Sequence, residues 1–238
     1  MKAAILLCSY EKNDCLPNTL NGIAMQSTTF PCQTILIDDC SPEDPEPIVC
    51  EFLPYTKYIR LPERTGGRLT RAKYFEHIDD DVDILVMLSA DVVMLQPNII
   101  DELVRGVGER VFTMAQVKNH YVLPNSHNTW DFFRQQMLDM WDVIPGGTKI
   151  YSGSQRPDGR WYFFCGAIRK QDALDLGIHE TGCCDAIVDK RMREGGFKPI
   201  FMDHLKAIHQ THPWVQHPCP VKAECEYSKE FACEERGV

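Results

Sequence analysis

Apolar segments of two different periods alternate along the first hundred residues. Ala3 to Cys8 is a continuous apolar run of strand length, and Leu16, Leu20 and Ile23 then recur at helical spacing behind candidate caps at Asn13 and Asp14. Thr34-Ile35-Leu36-Ile37 is a second buried strand that stops at Asp38-Asp39, and Pro42, Pro45 and Pro47 mark a loop. Tyr58 to Leu61 reads as a shorter strand. After Gly66-Gly67, Leu69, Ala72, Phe75 and Ile78 have helical spacing, and Ile84 to Leu88 is a fourth strand. Strands alternating with amphipathic helices call for α/β architecture, with a mostly parallel central sheet covered by helices on both faces.

The second half is less regular. Val111 to Ala115 and Trp161 to Phe164 read as strands. Ile187, Val188 and Met192 support a helix ending near Gly195-Gly196. Trp130, Phe133, Met137 and Trp141 form an aromatic stripe at helical spacing, for which core packing is favoured over a substrate platform. Gly146-Gly147 and Ser152-Gly153-Ser154 mark loops, and from Pro213 onward the chain is rich in Pro, Cys and Glu. The expected organisation is one domain over residues 1–212, its halves meeting near residue 100, followed by a tail over 213–238.

The chain of 238 residues is long enough for one substantial core. Its net charge of −9 argues against a surface that tracks a nucleic-acid backbone, while leaving room for a local basic cleft. No apolar run reaches the ~18 residues of a membrane span, and the first residues lack a signal-peptide core. The expectation is a cytoplasmic protein. Eleven scattered cysteines without a CxxC pair then read mainly as buried thiols, with a disulfide or metal staple still open for those in the tail.

Three polar clusters stand at expected strand ends: Ser9-Tyr10-Glu11, Asp38-Asp39 and Ser89-Ala90-Asp91. Ligands of open α/β sheets bind outside the carboxyl ends of the strands, so the coincidence marks a candidate site. A carboxylate where a buried strand opens into a loop can hold a divalent cation against a phosphate. It can also simply begin a turn, as Asp often does.

The run Cys8-Ser9-Tyr10-Glu11, with Gln26 and Ile35 to Asp44, resembles the opening of family 2-like glycosyltransferases of the GT-A fold. Glu11 stands where Asn is usual there, and Cys40 where Gly is usual. Arg64 to Ala72 is similar to the family's Asn-x-Gly-x-x-x-Ala-Arg-Asn segment, with Arg71 on the Arg position, and Ser89-Ala90-Asp91 falls at the DxD motif without its first Asp. Further on, Trp161 to Ala167 resembles the strand and Gly turn before the acceptor-side helix. Gly182 to Met192 resembles the Gly-x-Glu-Asp segment, with Cys184 replacing the Glu, and Ile208 to His212 resembles the strand whose His completes a metal site.

The resemblance implies a transferase that moves a sugar from a nucleotide-diphosphate donor to a glycan or other hydroxyl acceptor. Ser9, Tyr10, Glu11 and Asp38 would flank a uracil and its ribose, making a UDP-sugar the first expectation. Arg68 and Arg71, at i and i+3 near a helix start, would face the phosphates together with Ser89, Ala90 and Asp91, although a solvated face suits the two arginines nearly as well. Asp91 and a His would hold Mn²⁺ (or Mg²⁺); imidazole favours manganese, and His209 is preferred to His212. Asp185 would be the general base of an inverting transfer, its alternative being a helix-start residue favoured by the dipole. A compact transferase of this kind also occurs in viruses, where it would act in the host cytoplasm. Two other readings stay open: a sugar nucleotidyltransferase using Gly66 to Thr70 as a triphosphate loop, and a nucleotide-sugar-binding module without turnover.

Overall fold

The computed structural model describes residues 1–121, 130–143, 165–181 and 185–211, with the backbone alone at 67–69, 119–121, 133, 143, 181, 185–187 and 211. The amino-terminal half follows β1 (Ala3–Ser9), α1 (Leu16–Ala24), β2 (Cys32–Asp38), α2 (Glu46–Phe52), β3 (Lys57–Arg60), α3 (Gly67–Lys73), β4 (Ile84–Ser89), β5 (Val92–Met94) and α4 (Ile99–Gly106). The remainder contributes β6 (Val111–Tyr121), α5 (Trp130–Asp139), β7 (Cys165–Arg169), α6 (Lys170–Asp175), α7 (Ile178–Thr181), α8 (Asp185–Glu194) and β8 (Lys198–Thr211).

The strands form one eight-stranded sheet in the order β3-β2-β1-β4-β7-β6-β8-β5. Neighbours from β3 through β4 are parallel, joined by helix-containing crossovers, whereas β7 and β5 run antiparallel to their partners. Alternation within the central strands divides the core between the two faces. Ala3, Ile5 and Leu7 of β1 pack with Leu16, Leu20 and Ile23 of α1 and with α4, while Ala4 and Leu6 pack with Ile35, Ile37, Tyr74 and the α6–α8 layer. Burial on both sides explains why β1 and β4 read as unbroken apolar runs.

Local chemistry moves several expected boundaries. Asn13 and Asp14 do not cap α1: Cys15 precedes it, and the carbonyl of Lys12 accepts the amides of Cys15 and Leu16 at 2.9 and 2.8 Å. Pro47 does not extend a loop but lies in the first turn of α2, where a missing N–H costs nothing. The helical pattern from Leu69 to Ile78 is split into α3 and a 3₁₀ turn at Tyr74–Glu76. Gly22 lets α1 lie against β5, since a Cβ there would stand 3.0 Å from the Met94 amide.

In the aromatic stripe, Met137 of α5 and Trp141 pack on Val93, Leu95 and Ile208, as core residues do. The expected strand Trp161 to Phe164, the loops at 146–147 and 152–154, His212 and the tail lie outside the described residues. All six described cysteines are free; Cys15 and Cys165 are buried, but Cys32 and Cys50 are exposed, against the expectation of buried thiols. Among the described residues no helix is long and apolar enough to cross a membrane.

Candidate active site

Parallel strands β1 and β4 end side by side, with Cys8 opposite Ser89, and both chains must turn at the same edge of the sheet. After β1 the turn is polar. Ser9 is wholly buried and its hydroxyl has no partner among the described residues, while its carbonyl accepts the Asp39 amide at 2.8 Å. Glu11 has a positive φ of 50° and donates its amide to Ser41 Oγ at 2.9 Å. Tyr10 lies between them, with the Arg64 guanidinium 3.9 Å from its ring centroid, a cation–π contact.

The two aspartates after β2 divide the work of shaping this edge. Asp38 accepts the amide of Ser41 at 2.9 Å and also its hydroxyl, with Arg60 Nε 3.9 Å away. Burial pushes its carboxyl upward, against those hydrogen bonds. Its side chain is fully enclosed, so Asp38 sits behind the site and fixes the turn through Cys40, whose φ is +61°. Asp39 reaches the loop before α3: Oδ1 accepts the Thr65 amide at 2.7 Å and its hydroxyl at 2.9 Å, and Oδ2 accepts the Gly66 amide at 2.8 Å.

Between β4 and β5 the chain is held by its backbone. Thr19 Oγ1 donates to the Ala90 carbonyl at 2.9 Å, and the Gln210 amide donates to the Asp91 carbonyl at 2.8 Å. The Gln210 side chain is itself locked, accepting from Asn18 and donating to the Cys15 carbonyl, each at 3.1 Å. With the backbone so fixed, the Asp91 carboxylate meets two nitrogens. Lys12 Nζ is 2.8 Å from Oδ2, and His209 Nε2 is 3.4 Å from Oδ1. Burial alone would raise the Asp91 carboxyl, but His209 and Lys12 outweigh it and hold the group well below the usual carboxylate range. Lys12 is shifted up: burial works against its charge and Asp91 more than offsets it.

A cavity of about 220 Å³ opens here, walled by Tyr10, Lys12, Arg71, Ser89, Ala90 and Asp91 over a floor that includes Leu6, Tyr74 and Met87. Cys8 is in the wall, and burial pushes its thiol up to about 12, which leaves it protonated and unreactive. A larger hollow of about 440 Å³ lies among α6, α7 and α8, on the side where Ile84 pairs with Arg169. It stands at the amino end of β4, away from every strand-end cluster, and its Arg110 and Arg191 are engaged by the carbonyls of Gly195 and Leu176.

Residues 4–175 match the model of glycosyl transferase family 2. The chain belongs to that family. No curated protein matches it in sequence. Among solved structures, this family 2 chain is similar to a mannosyltransferase, PcManGT from Pyrobaculum calidifontis in complex with GDP-Man and Mn²⁺, at 14% identity and a TM-score of 0.57 over 89% of this chain and 57% of that one. It is similar to GalNAc-T7 with UDP, GalNAc and Mn²⁺ (12% identity, TM-score 0.62, 92% and 45% covered) and to S. aureus TarS 1-349 with UDP-GlcNAc (12%, 0.61, 90% and 60%). The fold is therefore GT-A, and the chain spans 45% to 60% of the length of these three.

Of the residues singled out in sequence, Tyr10, Arg71, Ser89, Ala90 and Asp91 face the cavity together, and His209 meets Asp91 from β8. Ser9, Glu11 and Asp38 shape the turns that adjoin it. Arg68 is in the first turn of α3 and Asp185 opens α8, their side chains lying outside the described set. Lys12 was not singled out. A lone lysine one residue past a polar turn looks like any surface lysine, and only the fold brings it to Asp91.

Proposed function

We propose that this family 2 chain transfers a sugar from a nucleotide-diphosphate sugar, a UDP-sugar first, to a hydroxyl acceptor with inversion and with divalent-metal assistance. The observation that carries this reading is the Asp91 carboxylate at the rim of the strand-end cavity, set between Lys12 and His209. GDP-Man in one related structure and UDP-GlcNAc in another leave the choice of base to experiment.

The residues present fit a metal ion. One hard carboxylate and one imidazole suit Mn²⁺, and 3.4 Å is long for a hydrogen bond but close to the ~3 Å between adjacent ligands of an ion with bonds of ~2.1 Å. Asp91 and His209 would hold the ion, and when bound it supplies charge neutralisation at the diphosphate. No third acidic, His or Cys ligand joins them among the described residues. With Ser89 in place of a second carboxylate, donor phosphates and waters would complete the sphere, so free metal should bind weakly and the donor would bring the ion with it.

The remaining work falls to the chain itself. Tyr10, backed by Arg64, offers a flat surface for the base, and Arg71 lines the cavity, where its charge would offset the phosphate charge that grows as the nucleotide departs. Asp185, at the start of α8, is the proposed base that takes the acceptor hydroxyl proton as that oxygen attacks the anomeric carbon. The turn after β1 is Ser-Tyr-Glu-Lys rather than glycine-rich, which disfavours triphosphate cradling and hence nucleotidyl transfer.

Thermal shift with UDP-, GDP- and dTDP-sugars, with and without Mn²⁺, tests the reading; stabilisation by one nucleotide class and release of nucleoside diphosphate on turnover are expected. No stabilisation by any nucleotide would overturn it. Asp185→Asn should abolish transfer while donor binding persists, and transfer at the wild-type rate would remove Asp185 from the mechanism.

A further inference from the structure

Among the described residues Lys12 is the cationic group nearest to Asp91, and its two halves are held differently. The backbone is pinned, because its carbonyl accepts both amides at the start of α1. The side chain is about a third exposed and ends on Asp91 Oδ2 at 2.8 Å, a full-strength charged hydrogen bond. An ammonium at that oxygen and a divalent ion at the same carboxylate repel strongly at such distances, and in a partly buried site the repulsion is only weakly screened. The two cations therefore compete for the charge of one carboxylate, from its two oxygens.

The charge inventory of the cavity points the same way. Its walls carry Lys12 and Arg71 against the single carboxylate of Asp91. Without a ligand, the Lys12 charge satisfies Asp91. With a diphosphate in the cavity, the same ammonium has a second and more highly charged anion within the same walls.

Resting on the metal-assisted reading above, we infer that Lys12 is the resident counter-cation of Asp91, which blocks free metal and turns to the donor diphosphate when metal and nucleotide arrive together. Lys12 thereby makes metal binding conditional on donor. It holds the empty site in a neutralised state, and it adds positive charge to the diphosphate once displaced.

The experiment measures Mn²⁺ binding to the full chain by the loss of free-ion EPR signal, for wild type, Lys12→Met and Lys12→Arg, with and without UDP. Without nucleotide, Lys12→Met should bind Mn²⁺ at least about tenfold more tightly than wild type, because a charge facing the ion has been removed. Lys12→Arg should behave as wild type. At Mn²⁺ saturating for each protein, Lys12→Met should bind UDP at least about tenfold more weakly, having lost a phosphate partner. Lys12→Gln gives the same comparison if the Met variant does not fold. Equal affinity of wild type and Lys12→Met for free Mn²⁺ would overturn the inference while leaving the metal site standing. If UDP binds but Mn²⁺ does not bind in any variant, the metal-assisted reading fails and the inference with it. If UDP does not bind at all, the nucleotide-sugar reading fails.

Discussion

Replacing Asp39 tests how the site is braced. Its carboxylate receives three hydrogen bonds from the loop before α3, two from the backbone amides of Thr65 and Gly66 and one from the Thr65 hydroxyl, all between 2.7 and 2.9 Å. Hydrogen bonds to a charged acceptor contribute roughly 1.5–3 kcal/mol each, and water entering the vacated volume recovers part of that. For Asp39→Ala, losing two amide bonds at the lower figure gives about 3 kcal/mol of destabilisation. At roughly 2–4 °C per kcal/mol for a chain of this size, the melting temperature should fall by about 6–12 °C. Asp39→Asn keeps one oxygen for Thr65 but turns an NH₂ toward the Gly66 amide, so it should fall between wild type and the alanine variant. Urea unfolding of the three proteins at pH 7 supplies the comparison. Because this loop carries Arg64 onto Tyr10 and leads into the helix bearing Arg71, nucleotide affinity should weaken in the same order. An alanine variant within about 1 kcal/mol of wild type would show that the loop holds itself and that Asp39 braces nothing.

Three further outcomes are expected. Cys40 has a left-handed φ of 61°, and Cys40→Gly removes a steric cost of about 1–2 kcal/mol but adds unfolded-state freedom, so stability should change by between zero and about +1 kcal/mol in chemical denaturation. Gly166→Ala in β7 would place a Cβ 2.6 Å from the Thr113 carbonyl and from Phe112 Cζ; since backbone cannot yield there, a loss of about 2–4 kcal/mol should appear as a lower thermal midpoint. The Asp91 carboxyl is depressed in the folded state, because His209 and Lys12 outweigh its burial, so its contribution is complete above the unfolded value near 4 and is lost as pH falls through the lower folded value. The stability gap between wild type and Asp91→Asn should therefore hold from pH 6 down to about pH 5 and narrow from there to pH 3, and a gap that stays constant down to pH 3 would contradict the charge argument.

The strand-helix half of the fold was legible because β1 and β4 are buried on both faces and leave unbroken apolar runs, with turn chemistry between them. β5 was not, since three residues are too few to show a period. β8 was only glimpsed at Ile208-His209, because its fourteen residues mix Pro199, Asp203, His204 and Lys206 with apolar positions and cross a register shift opposite Ala115/Gln116. In the site, sequence order alone marked Asp91 and the clusters beside it. It could not separate Asp38 from Asp39, which are adjacent in the chain yet brace different turns. Lys12 became visible only through distance, a property that no local pattern encodes.

Asn18 and Gln210 meet side chain to side chain, and the same Gln210 supplies the amide that holds the Asp91 backbone. These residues come from opposite ends of the described chain. Closing so long a loop brings no return until the last strand is in register, so the pairing of Asp91 with His209 is among the latest contacts topology allows. A molecule whose final strand is out of register therefore loses the backbone bond to Asp91 and the His209 contact in one step, and its site stays incomplete until that strand is seated.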